Sequence, residues 1–239
     1  MIHVLGSVNI DYSVVVARLP NPGETISGSN LVLTPGGKGA NQALAARRAG
    51  AQVKLTGAIG NDSVAETAVT ILKDDGVDLT DVKSIQGPTG CAFVFVDENS
   101  ENQIIIIAGA NESVSPNQAR QLKIAADDLL LLQLECPLAT VAAAASHASQ
   151  QGARVIANLA PYQSFDKQFF TAIDYLILNE SEAEQLAEDL SLNAATVTDI
   201  SAVTNCSVVR TLGANALKQL TKSQDYSVFQ ASRSKLLIQ

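Results

Sequence analysis

The stretch LTPGGKGANQALAARRAGA, residues 33–51, sets Gly36, Gly37 and Gly39 within four positions, with Lys38 and Asn41 among them and an alanine-rich run behind. Glycine lets a backbone approach its partner closely, and the N–H groups at a helix start point at whatever lies in front of them. Lys38 and Asn41 would add donors for hydroxyl or carbonyl oxygens. Two phosphate-binding patterns fail here. A Walker A loop needs Ser or Thr after its lysine, where this chain has Gly39, and a dinucleotide fingerprint needs a third glycine where Gln42 stands. What remains is a glycine hinge opening a helix, either as plain turn chemistry or as a cradle for a polar ligand. Upstream, in GSVNIDY, Asn9 and Asp11 lie two apart just past a strand end and so project to one face. An amide and a carboxylate placed in this way could hold a polyol.

The elements that must position these groups alternate. Strands are predicted over 2–8, 52–60, 128–135, 153–159, 175–180 and 206–213. Helices are predicted over 38–50, 62–76, 115–126, 137–152, 164–173 and 181–190. Such alternation argues for a mainly parallel sheet with helices on both faces, and ligands in doubly wound folds bind at the carboxyl ends of the strands. Two segments break the rhythm. Residues 12–35 hold short strand-like runs around the turn LPNPGE, and 90–108 read as a hairpin ending in four isoleucines. Together they are expected to form a small sheet, a lid, on a single α/β domain spanning residues 1–239.

The chain has 239 residues, 46% of them hydrophobic and only 17% charged, with a net charge of −8. That balance excludes a basic footprint for nucleic acid and a polybasic patch for anionic lipid, so an anionic ligand must be met by a local site. No basic segment followed by an apolar run opens the chain, and no apolar run approaches the roughly 20 residues of a membrane span. Cys91, Cys136 and Cys206 are odd in number and far apart, which suits buried free thiols in a reducing cytoplasm. His3 and His147 match no motif.

Taken with GSVNID, PNPGET, GGKGANQALAARRAGA, GAIGNDS, AGAN, QLECPL, NESEAEQL and RTLGANA, in that order between Leu5 and Ala216, the chain resembles the ribokinase branch of the PfkB sugar-kinase family. The resemblance implies a ribokinase-like three-layer α/β/α fold with a small β-sheet lid. It implies phosphorylation of D-ribose to ribose 5-phosphate by ATP with Mg2+ in the cytoplasm, and a homodimer joined through the lid. By the same resemblance Asn9, Asp11, Gly37, Lys38, Gly39, Ala40, Asn41 and Glu135 hold the sugar. Read alone, Glu135 is a strand-end carboxylate facing water. Asn179, Thr211, Leu212, Gly213, Ala214, Asn215 and Ala216 would line the nucleotide, with Glu182 near Mg2+. Read alone, Asn179 and Glu182 are the cap and third residue of a helix start. Two positions depart from the family pattern: Ala216 stands where many relatives have Gly, and Leu159 where ribokinases usually have Pro.

The largest departure is at the end of the chain. Relatives carry a D-T-x-[GA]-A-G-D motif whose last Asp is the general base and whose amides form the anion hole. These 239 residues contain no such motif, so no catalytic residue is assigned and turnover is expected to be impaired. A site for K+ would belong to the same absent segment. The closing RSKLLIQ can be encoded so that another reading frame gives Val-Lys-Ala-Ile-Asp-Thr, which is compatible with a frameshift upstream of that motif. The alternatives kept open are a non-catalytic sugar-binding remnant and another PfkB-family sugar or nucleoside kinase.

Overall fold

The computed structural model describes residues 1–97 and 102–212 in full, and strands 217–220 and 226–229 by their backbone. Two compact units result, one of Met1–Leu5 with Ser115–Gln239 and one of Gly6–Val114. The chain opens with β1 (Ile2–Leu5). The Gly6–Val114 unit contributes β2 (Asn9–Val16), β3 (Gly28–Gly36), α1 (Lys38–Arg48), β4 (Val53–Ile59), α2 (Ala65–Asp74), β5 (Asp78–Ser84), β6 (Gly90–Val96) and β7 (Asn102–Ile107). A 3-10 turn, Gly109–Ser113, closes it. Next come α3 (Pro116–Arg120), β8 (Leu129–Leu132), α4 (Leu138–Gln150), β9 (Arg154–Asn158), β10 (Tyr175–Leu178), α5 (Glu180–Asp189), α6 (Val197–Thr204) and β11 (Ser207–Thr211). The last two described elements are β12 (Leu217–Leu220) and β13 (Tyr226–Phe229).

In the larger unit the strand order runs β13-β12-β11-β10-β9-β8-β1. The pairs from β1 to β11 are parallel, and β11/β12 and β12/β13 are antiparallel. Leu130, Leu132, Val155, Ala157, Leu176, Leu178 and Val208 are fully buried along it, as a sheet covered on both faces requires. Helix α4 turns Val141, Ala144, Ala145 and Ala148 inward, all at zero exposure, and their small side chains let it lie close to β8 and β9.

In the smaller unit β4 and β5 pair in parallel, and a separate mixed sheet has the order β3-β2-β6-β7. Strand β2 pairs antiparallel with β3 and parallel with β6, and β6 pairs antiparallel with β7. Tyr12 and Phe93, directly opposite in register, stack with ring centroids 5.2 Å apart. Four consecutive isoleucines, Ile104–Ile107, are each at least 41% exposed, so both faces of edge strand β7 are uncovered within the chain. The small sheet expected from the two β-only segments is therefore present.

Several elements differ from the sequence-based expectation. The helix expected over 115–126 is only α3, because the Asp128 carboxylate takes the Ala125 N–H at 2.9 Å and turns the chain toward β8. The helix expected over 164–173 is a 3-10 helix, Lys167–Ala172, capped by Asp166 through the Gln168 N–H. Strand β5 was not expected, since DLTDVKS is polar and lacks alternation. It is held at the Lys54 ammonium, 3.5 Å from Asp78 and 3.0 Å from Asp81. Helix α6 is rich in β-branched residues and weak in propensity. A Thr196 cap and the buried Val197 and Ile200 sustain it. Among the described residues no helix is long and apolar enough to cross a membrane.

Helix α1 ends as its Arg47–Arg48–Ala49–Gly50 sequence suggests. Gly50 has φ 96°, its N–H donates to the Arg47 carbonyl, and the Ala51 N–H donates to that of Ala46, a Schellman closure. Helix α5 closes with the same two bonds, Ser191 to Glu188 and Leu192 to Ala187, but puts Ser191 in the left-handed region at φ 58°. A side chain there costs free energy that glycine avoids. Ser191→Gly is expected to stabilise the chain by about 0.5–1 kcal/mol and raise Tm by roughly 2 °C; an unchanged or lower melting point would refute the strain.

The loop before β6 is pinned by the Asp62 carboxylate, which accepts from the Thr89 N–H at 2.8 Å and the Thr89 hydroxyl at 2.7 Å. Burial pushes the Asp62 carboxyl up, but the Thr89 bonds and the Ala65 N–H outweigh it and hold the group below its ordinary 3.8. A depressed carboxyl contributes stability that is fully present above its unfolded value and is lost as pH falls through the folded one. Asp62→Ala should therefore lower the denaturant midpoint at pH 7 by more than it does at pH 3. Equal losses at both would remove Asp62 from this role.

Candidate functional site

The first turn of α1 explains the glycine cluster. Gly37 caps the helix at φ 92° and ψ 133° and offers no side-chain cap. The cap comes instead from a distant residue, Ser7, which is fully buried after β1. The Gly39 N–H donates to Ser7 Oγ at 3.3 Å and the Ala40 N–H to the Ser7 carbonyl at 2.9 Å. A Cβ on Gly39 would lie 2.5 Å from the Gly6 carbonyl carbon and 2.6 Å from the Ser7 nitrogen, and one on Gly37 would lie 2.8 Å from the Asn9 nitrogen. Two glycines are thus needed because one backbone lies on another. The Gly39 and Ala40 amides are thus taken by Ser7, as plain turn chemistry requires. What the turn presents is side chains, with Lys38 and Asn41 half-buried on the helix that Ser7 anchors.

Strand β2 carries Asn9 and Asp11 on one face, as their spacing predicts. Asn9 stands opposite Gly36 on β3 and Gly90 on β6, and Asp11 stands opposite Thr34 and Ala92. The Asp11 carboxylate occupies the space where Gly36 has no side chain. That places it directly before Gly37 and Lys38 in the chain. Cys91, half-buried on β6, feels this environment: burial first, then the Asp62 and Asp11 charges, push its thiol up. A raised thiol is a poor nucleophile.

Asn111 went unassigned in the sequence, although AGAN was recognised as a motif. It is 1% exposed, accepts the Val8 N–H at 3.0 Å, and donates to Asn9 Oδ1 at 2.8 Å and to the Ala108 carbonyl at 3.0 Å. Gly90 is small because these two amides fill its side. Ser7 and Gly90 were missed for the same reason. Their partners are more than 20 residues away in the chain, so no local signal marks them.

In the larger unit the other candidates gather at the carboxyl ends of neighbouring parallel strands. Glu135 lies three residues past the end of β8, in a bend rather than in the strand, and is half-buried. The preceding Leu134 is clamped by two bonds, its N–H to the Ala160 carbonyl at 3.0 Å and its carbonyl from Gln163 Nε2 at 2.8 Å. Asn179 follows β10 and Thr211 ends β11. Asn179 and Glu182 form a reciprocal capping box, the Asn179 N–H donating to Glu182 Oε2 at 2.7 Å and the Glu182 N–H to Asn179 Oδ1 at 2.8 Å. Arg210, not foreseen, ties this helix start to the next loop through Glu180 at 3.1 Å and the Ala195 carbonyl at 2.9 Å. Thr211 donates to the Leu178 carbonyl at 3.4 Å, and Leu212 is half-buried. Gly213, Ala214, Asn215 and Ala216 lie outside the described residues.

Among the described residues no cluster of three or more metal-ligating side chains occurs.

The model of the pfkB family carbohydrate kinases matches residues 1–229. The chain is 42% identical to the ribokinase of Haemophilus influenzae over 186 residues, which covers 77% of this chain and 61% of that protein. It thus spans less than two thirds of this relative's length. Among solved structures, Thermotoga maritima ribokinase is similar with a TM-score of 0.86 at 30% identity, covering 98% of this chain and 78% of that one. Arabidopsis thaliana ribokinase, solved with ribose and ATP, is similar at a TM-score of 0.77 and 28% identity, covering 97% and 77%. The fold is the ribokinase-like α/β/α arrangement with a small lid sheet, and the chain belongs to the pfkB family of carbohydrate kinases.

Proposed function

We propose that this fold serves a ribokinase-type sugar kinase: it binds D-ribose and directs the 5-hydroxyl to the γ-phosphate of ATP, giving ribose 5-phosphate. The observation that carries the reading is the pairing of Asn9 and Asp11 on one face of β2, with the carboxylate seated over Gly36 at the entry to the helix bearing Lys38 and Asn41. In this reading Asp11 accepts from sugar hydroxyls, while Asn9, Lys38 and Asn41 donate to them and Glu135 accepts at the sugar. Asn179, Thr211 and Leu212, with 213–216, line the nucleotide. Mg2+ beside Glu182 would neutralise phosphate charge, which is most of what phosphoryl transfer asks of a site beyond positioning. The kinship with ribokinases supports this, and the free Cys91, Cys136 and Cys206 suit a reducing cytoplasm.

Calorimetric titration with ribose should show binding that Asp11→Asn weakens about 10-fold or more, the cost of a charge-assisted hydrogen bond. Lack of any pentose binding would overturn the sugar-kinase reading.

The lid points to the assembly. Strand β7 is an edge with four exposed isoleucines, and Leu31 on β3 is 64% exposed. Open edges and apolar patches of this kind are covered in stable proteins, and a second copy of the same lid is the occupant proposed. Sedimentation should report a dimer that Ile104→Asp or Ile105→Asp, on opposite faces of β7, converts to monomer. A monomeric parent, or a dimer indifferent to both changes, would exclude this interface.

A further inference from the structure

Asn9 and Asn111 are both buried, at 2% and 1% exposure, and their amides touch. The orientation of an amide is usually a matter of assignment, because oxygen and nitrogen differ little. Here it follows from backbone groups whose roles are not ambiguous. The Val8 N–H can only donate, so the atom of Asn111 at 3.0 Å from it must be Oδ1. The Ala108 carbonyl can only accept, so the atom 3.0 Å from it must be Nδ2, and the Val8 carbonyl at 3.4 Å agrees. With Asn111 so oriented, its Nδ2 faces Asn9 at 2.8 Å, and the facing atom of Asn9 must be the acceptor Oδ1. Asn9 Nδ2 then points the other way. It makes no hydrogen bond among the described residues, and it is not among the polar atoms sealed from solvent.

We propose that Asn111 is a positioning residue. Through this chain of bonds it forces Asn9 to present a donor, never an acceptor, toward the sugar. Beside the Asp11 carboxylate, which only accepts, the site then offers one donor and one acceptor from a single strand face. That pair discriminates a ligand with a hydroxyl that can accept from Asn9 near one that donates to Asp11. The proposal rests on the pentose-binding reading above and adds to it a residue that does not itself touch the sugar. Gly90 is part of the device, because any side chain there would occupy the place where the two amides meet.

The test compares ribose with its monodeoxy and deoxyfluoro analogues on the full chain. A hydroxyl can donate or accept, whereas a C–F group can only accept. The parent should lose affinity about 10-fold for the deoxy analogue that lacks the hydroxyl contacted by Asn9, and less for the fluoro analogue at that position, which still accepts from Asn9. In Asn111→Asp the carboxylate still accepts from Val8 but draws the Asn9 NH2 group inward, turning Oδ1 to the ligand. The ribose hydroxyl can then donate to that oxygen while the fluorine cannot, so the advantage of the fluoro over the deoxy analogue should vanish at that position alone. Asn9→Asp also presents only acceptors outward and should abolish the same advantage, which keeps the outward donor testable if Asn111→Asp does not fold. A fluoro advantage that survives in either folded variant overturns the relay while leaving pentose binding standing. A parent that binds no pentose overturns both.

Discussion

The contact on which the smaller unit depends is between two backbones. Gly39 lies against Gly6 and Ser7 at a distance no side chain would permit, and this lets a serine after β1 cap a helix that begins more than 30 residues later. A helix start leaves four N–H groups without partners, and burying them unsatisfied is costly. Ser7 settles two of them with its hydroxyl and carbonyl. The helix is thereby anchored beside β2, and Lys38 and Asn41 are carried to the strand that bears Asn9 and Asp11. Glycine at 37 and 39 is a packing requirement.

A second theme is the satisfaction of buried polar groups. Asn111 makes its bonds wholly inside the unit, Asp62 holds the loop before β6, and Gln163 clamps the bend that carries Glu135. In each case a side chain from one loop bonds the backbone of another. Such networks fix loops more firmly than apolar contact alone, since breaking one bond strands a buried donor or acceptor. The Asn179–Glu182 capping box is a local instance. It satisfies the Asn179 and Glu182 N–H groups at the start of α5.

The lid behaves differently. Its edge strand β7 exposes isoleucines on both faces, while Tyr12 and Phe93 stack across the inner β2–β6 pair. An open apolar edge of this kind is a template for pairing with another strand.

Much of this was legible in residue order. The alternation of helix and strand, the glycine stop of α1, the Asn9–Asp11 spacing and the capping pair at Asn179 are local signals, and each stands where it was read. Helix α6 and strand β5 were not legible, because VTDISAVT and DLTDVKS have weak or misleading propensity and exist through Thr196, Lys54 and the core beneath them. The lengths of the 115–126 and 164–173 segments were overestimated for the same reason, since side chains of Asp128 and Asp166 redirect their backbones. Ser7, Gly90 and Asn111 became visible only in three dimensions. Local patterns register interactions within a turn or two of chain; these residues act across 20 to 100 positions, and only the folded chain brings their partners within hydrogen-bond reach.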